Sequence, residues 1–386
     1  MVIEGLLAET GRPARIDIDG DLIRSIHPLA RVDSVWLAPG FIDIQVNGYL
    51  GHDLNAPDVT ATTVARCVRS LWPVGVTTVC PTVTTQSESS ICRSLSAIRE
   101  ACEADPLVAH SIACIHVEGP HISAEDGARG AHPLEHVRPP SLDEYHRWQD
   151  AAGRRIGIIT LAPEHPGSVE YIRAAVADGV VIAIGHTAAS ESHILAAVNA
   201  GASLSTHLGN GCHAMVDRHR NYIWDQMAED RLTASLIFDG HHLPPALMKI
   251  MLRAKTLERV ILTSDAVAVA GLGPGVYETS IGRKVERLPS GRLNLYGTPY
   301  LAGSASALPD GITNAMRHAG ATLIEALRLA TANPARLLSL HGPQGRGSLR
   351  EGGVADITAF RTDAVTHELT IEKTIVNGTV VFSRDH

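Results

Sequence analysis

"SIACIHVEGPHIS", residues 111–123, is an apolar run that closes on His116 and Glu118 and then breaks at Gly119-Pro120 before a further histidine, His121. A buried strand has no use for an ionisable end, because burying an unpaired charge is costly. The stretch therefore reads as a strand whose end carries chemistry. Seven other apolar runs have the same form: Phe41–Gln45, Gly75–Thr82, Ile156–Glu164, Val180–His186, Ser203–His207, Ala234–Asp239 and Arg259–Asp265. Helical patterns such as Val169–Ala177 and Glu191–Asn199 lie between most of them. Eight βα units in roughly 300 residues predict an α/β fold, a (β/α)8 TIM barrel. A doubly wound open sheet is the competing fold. It requires a glycine-rich phosphate loop after the first strand, and "DIQVNGYLG" (43–51) has no G-x-G-x-x-G.

The two ends of the chain read differently. "ARIDIDGDLIRSI" (14–26) places Asp19-Gly20 between two apolar stretches, and "LTIEKTIVNGTVVF" (369–382) places Asn377-Gly378 the same way. Both are hairpin signals. The expected organisation is a small β-sandwich domain built from residues 1–38 and 345–386, flanking a barrel of residues 39–344.

Composition narrows the function. The 386 residues are 45% hydrophobic but only 4% aromatic, which suits a parallel core of branched aliphatics. The net charge of −8, with no basic cluster, argues against nucleic acid or an anionic membrane as partner. No stretch approaches the ~18 apolar residues of a membrane helix. "MVIEGLLAETGRPAR" (1–15) lacks the pattern of a secretory signal. The six cysteines show no C-x-x-C and sit mostly in apolar segments, so free thiols and a cytoplasmic location are expected.

In a barrel all strand ends face one rim, where the chemistry is done. The ends here offer Gln45 and Asn47, His116 and Glu118, Glu164, His186, His207, Asp239 with His241 and His242, and Asp265. Each alone has a bland reading: a histidine as a hydrogen-bonded cap, Glu118 as an ion-pair member, Asp265 as a helix cap. Together, one carboxylate and two imidazoles from different units can hold a divalent cation and leave positions open, which suits catalysis rather than a closed structural site. Zinc is the first choice; iron, manganese and cobalt fit the same donors. Asp265 beside the ion can move a proton. His132, in "GARGAHP" (127–133), lies in a loop able to cover the rim and polarise a carbonyl. The implied reaction is metal-assisted hydrolysis of an amide or related C–N bond. Cys212, near His207 but without a second cysteine close by, reads as packing.

The ordered set of motifs resembles the amidohydrolase superfamily and, within it, the N-acetylglucosamine-6-phosphate deacetylases. It comprises "PGFIDIQVNG" (39–48), "HVEGPHIS" (116–123), "GAH" (130–132), "TLAPE" (160–164), "GHT" (185–187), "STHLGN" (205–210), "DGHH" (239–242), "TSDAV" (263–267), "LAGSA" (301–305), "ATANPAR" (330–336) and "EGGVADI" (351–357). The resemblance implies one metal held by Glu118, His186 and His207. It makes Asp265 the general base and acid and His132 the carbonyl-polarising group. It places His242, the backbone around Asn210 and Gly211, Arg220 and Gln45 on the substrate, an N-acetyl amino sugar. It also implies a homodimer, with an arginine reaching across to a phosphate.

Two departures stand out. Where the superfamily often carries His-x-His, this chain has Gln45-Val46-Asn47, which some deacetylases of the family share. Amides are poor zinc ligands beside imidazole and carboxylate, so one metal is expected. After His207 the family reads His-Leu-x-Asn-Ala-Met and then Arg-Glu-Pro-Gly, whereas this chain reads "HLGNGCHAMVDRHRNYIWDQ" (207–226). Arg220 falls near the phosphate arginine in altered surroundings, with Asp217 close by as an alternative ion-pair partner. The open alternatives are another N-acyl amine, a non-phosphorylated N-acetyl sugar, and a non-catalytic barrel kept as a scaffold.

Overall fold

The eight apolar runs become eight parallel strands in a computed structural model, which describes residues 1–279 and 284–384. They are β1 (Phe41–Val46), β2 (Val76–Thr84), β3 (Ile115–Glu118), β4 (Ile156–Leu161), β5 (Val181–Ile184), β6 (Leu204–Ser205), β7 (Thr233–Leu236) and β8 (Val260–Leu262), adjacent in chain order. Helices return the chain between them, and local sequence sets their limits. The helix Ala61–Leu71 starts where Thr60 accepts from the Thr63 amide, and it buries Val64, Cys67, Val68 and Leu71, the i, i+3, i+4, i+7 face. The two helices read from the sequence appear as Ser168–Ala177 and Glu191–Ala200.

The lower barrel is filled by Ile42, Ile44, Cys80, Ile158, Ala183, Leu204 and Ile261. One layer up, His116 reaches the Ile44 carbonyl through Nδ1 (3.0 Å) and Thr160 Oγ1 through Nε2 (2.8 Å). Burial drives its pKa down to about 4, so His116 is a neutral interior group. β1 and β8 do not share a continuous ladder. The seam closes just above them, where Asp265 N–H donates to the Gln45 carbonyl (3.0 Å) and Asn47 N–H to the Ala266 carbonyl (2.8 Å).

Seven strands from the two ends form one sheet, in the order 379–383, 369–376, 357–362, 36–39, 2–7, 13–19, 22–28. Only the pairing of Val2–Leu7 with Trp36–Pro39 is parallel. Both halves feed a shared core that includes Ile16, Ile23, Leu37, Ile357 and Ile375. The sheet folds over, so that Leu22 bridges Val354 and the Ala355 amide donates to the Asp21 carbonyl. The sandwich-like core is thus made by one hydrogen-bonded sheet rather than two. A second addition, which the barrel reading did not anticipate, follows β8: strands Gly275–Glu278, Lys284–Arg287 and Leu293–Leu295 form an antiparallel sheet. It is tied to the rim where His241 Nε2 donates to the Ser290 carbonyl (3.1 Å). All six cysteines are free thiols.

Candidate active site

The expected strand ends overshoot the strands. Glu164, His186, His207, Asp239 and Asp265 all lie two or three residues past the last β residue, in the turns that leave the rim. His186 (φ 49°), His207 (φ 28°) and Asp265 (φ 49°) turn through the left-handed region. Non-glycine residues held there store roughly 1–3 kcal/mol each, a cost that clusters at functional sites. The turn redirects each side chain from the sheet face to the barrel axis.

Glu118, His186 and His207, all buried, meet at that axis. Glu118 Oε1 lies 2.8 Å from His207 Nε2 and 3.3 Å from His186 Nε2, and the two imidazole nitrogens are 3.2 Å apart. Four ligands placed tetrahedrally about 2.05 Å from a zinc ion are about 3.3 Å from one another, so the triangle has the size a metal needs. The tautomer fits as well. His186 Nδ1–H donates to the Ala128 carbonyl (3.0 Å), which leaves Nε2 as the lone pair facing the other two donors. The ring is boxed by backbone, since a Cβ on Gly211 would come within 2.5 Å of His186 Nδ1. The residues present therefore fit a divalent cation with one open side. Although burial opposes charge on Glu118, its contacts to His186 and His207 hold its carboxyl well below the usual carboxylate range.

The Gln45 and Asn47 amides serve the carboxylates. Gln45 Nε2 donates to Glu118 Oε1 (2.9 Å), and Asn47 Nδ2 donates to Asp265 Oδ1 (2.7 Å). Gln45 is fully buried and braces Glu118 through Nε2, while its Oε1 has no protein partner. Burial, reinforced by the Glu118 charge, pushes the Asp265 carboxyl up to about 7; a bound cation opposes that shift. The His132 ring sits 4.4 Å from that of His186, and burial drives its pKa down to about 3, so it is a neutral imidazole. Asp239 accepts from the amides of His241 and His242 (2.8 Å each) and from His242 Nδ1 (2.7 Å), which fixes the His242 ring.

Other candidates fall elsewhere. Glu164 accepts from Thr187 Oγ1 and the Ala188 amide, bracing the turn after His186 instead of joining the site. The Asn210 amide is spent on the His207 carbonyl (2.9 Å), which leaves Gly211 as the backbone donor of that pair. Arg220 is exposed. Asp217 takes its backbone amide (2.8 Å), and among the described residues its guanidinium makes no ion pair. It lines a hollow of about 620 Å³ with Glu191, Asp217, Asp225, His213 and Tyr222, apart from the metal donors. Thr85, which lies 2.8 Å from His132 Nδ1, was hidden in the sequence, because "PTVTT" (81–85) reads as ordinary β-branched strand.

A family model for the amidohydrolase family matches residues 36–381. The chain belongs to the amidohydrolase family. It is a hydrolase of that metal-dependent family. This amidohydrolase is 31% identical to the N-acetylglucosamine-6-phosphate deacetylase of Bacillus subtilis (strain 168), over 92% of this chain and 86% of that one. It is 29% identical to an N-acetylgalactosamine-6-phosphate deacetylase of Escherichia coli O157:H7, over 93% of each. An Asp-to-Ala variant of N-acetyl-D-glucosamine-6-phosphate deacetylase from Mycobacterium smegmatis, solved with N-acetyl-D-glucosamine-6-phosphate, superposes with a TM-score of 0.87 at 28% identity, covering 99% of both chains. Among the described residues of this amidohydrolase no helix is long and apolar enough to cross a membrane.

Proposed function

We propose that this amidohydrolase removes the acetyl group from an amino sugar 6-phosphate, N-acetylglucosamine 6-phosphate first, releasing acetate and the amino sugar phosphate. The observation that carries this reading is the convergence of Glu118, His186 and His207 with Asp265 and His132 at one rim. A divalent cation held by the three donors, zinc first, supplies Lewis acidity and lowers the pKa of water. Asp265, oriented by Asn47, takes the proton of the attacking water and returns it to the leaving amine nitrogen. His132 donates to the carbonyl oxygen as charge develops there. His242, fixed by Asp239, presents its remaining ring nitrogen to a sugar hydroxyl. The scaffold alternative has no use for a buried set of three donors with a proton-transfer group beside it.

One metal per chain is expected, because Gln45 and Asn47 turn their amide nitrogens toward Glu118 and Asp265. Elemental analysis returning two equivalents would overturn this.

The position of Arg220 favours a second reading, a non-phosphorylated N-acetyl sugar or another N-acyl amine, unless the arginine acts on a partner subunit's substrate. The family reading includes a homodimer in the cytoplasm, and exposed Met215 and Trp224 near Arg220 in sequence are consistent with such a contact. Acetate release from N-acetylglucosamine and N-acetylgalactosamine, each with and without a 6-phosphate, separates the two. A guanidinium fork matches phosphate oxygens. On the phosphorylated reading Arg220→Ala raises KM strongly for the phosphorylated sugar and little for the free one. Equal KM values remove Arg220 from the site and favour the neutral substrate.

A further inference from the structure

Thr85 lies at the foot of the His132 loop, one residue past the end of β2, and it is almost fully buried. Its hydroxyl lies 2.8 Å from His132 Nδ1, which donates or accepts according to the ring's tautomer, and 3.5 Å from the Glu118 carbonyl, which can only accept. A hydroxyl has one proton to give, and 3.5 Å is at the limit of a hydrogen bond. The hydroxyl cannot move away from the ring easily. It is pressed against Gly119, where an added Cβ would stand 2.1 Å from Thr85 Oγ1, so the chain keeps glycine there (φ 77°) to admit it.

We infer that Thr85 is a positioning residue that donates its hydroxyl proton to His132 Nδ1 and so fixes His132 as the Nε2–H tautomer. The consequence is specific. A neutral imidazole has one donor nitrogen and one acceptor nitrogen, and the partner of one decides the role of the other. With Nδ1 accepting from Thr85, Nε2 carries the proton and can donate to a carbonyl oxygen at the rim. With the opposite tautomer, Nε2 is a lone pair that repels that oxygen. Thr85 thus connects the strand that ends beneath the site to the donor that closes over it, and it touches neither metal nor substrate.

This inference rests on His132 being the carbonyl donor, but its first test needs no substrate. In the zinc-loaded enzyme labelled with 15N-histidine, the His132 resonances, assigned by their loss in His132→Gln, should show a protonated Nε2 and an unprotonated Nδ1. A protonated Nδ1 would overturn the inference whatever the enzyme hydrolyses. The second test is kinetic. Thr85→Val removes the donor while keeping the shape, and it should lower kcat by on the order of tenfold or more, toward the loss seen when an oxyanion donor is removed. KM and metal content should change little, and Thr85→Ser, which restores the hydroxyl, should recover most of the rate. If Thr85 merely packs, Thr85→Val lowers the melting temperature and leaves kcat per folded molecule intact, which refutes the positioning role. Should the valine variant fail to fold, the serine variant and the wild-type tautomer still decide the matter.

Discussion

Asp265→Asn leaves the protein folded and metal-loaded and lowers kcat by at least ~10²-fold, the scale of a positioned acid–base group. The substitution is clean for structural reasons. Asp265 sits at φ 49°, and asparagine is one of the few side chains at ease there. Its carbonyl oxygen can still accept from Asn47 Nδ2, which is 2.7 Å from Asp265 Oδ1, so the rotamer survives. The Glu118–His186–His207 triangle does not include Asp265, so metal content measured beside kcat should be unchanged. What is lost is a group able to take a proton near neutral pH. A variant with near-normal kcat would remove Asp265 from the proton path.

His132→Gln and His132→Ala lower kcat by about 10²–10³, equivalent to about 2.7–4 kcal/mol of transition-state stabilisation, with metal content unchanged. The imidazole is neutral, close to the His186 ring, and held from behind by Thr85, which is what a preorganised donor to a developing oxyanion requires. A loop-packing role predicts the reverse pattern: a preserved kcat and a lower melting temperature. In that case the polarising role passes to His242, already fixed by Asp239 at 2.7 Å.

The barrel was legible in the sequence because parallel strands buried on both faces read as continuous apolar runs, and eight of them recur. The grouping of Glu118, His186 and His207 was legible because each follows such a run at similar depth. The turns were not. Periodicity cannot tell that Ile184 ends a strand and His186 already turns through left-handed backbone, so Glu164 and His186 both read as strand ends although one braces a loop and the other meets Glu118 and His207. Nothing local to Gln45 reveals that Glu118, 73 residues on, takes its amide. The sheet after β8 escaped notice because its strands are only three or four residues long and half exposed. Arg220 was placed by sequence spacing, which does not reveal that it lines a hollow with Glu191, Asp217 and Asp225.

The seam between β1 and β8 joins residues far apart in the chain: Asn47 and Asp265 are separated by 218 positions. Contacts of such long range carry a large loop-closure cost. Glu118, His186 and His207 come from units three, five and six, and Glu118 is tied to that seam through Gln45 Nε2 (2.9 Å). Loosening β1 frees Asp265 from Asn47 and Glu118 from Gln45 together. The proton-transfer candidate and one of the three donors thus lean on a single strand, so they are expected to fail together when that strand loosens.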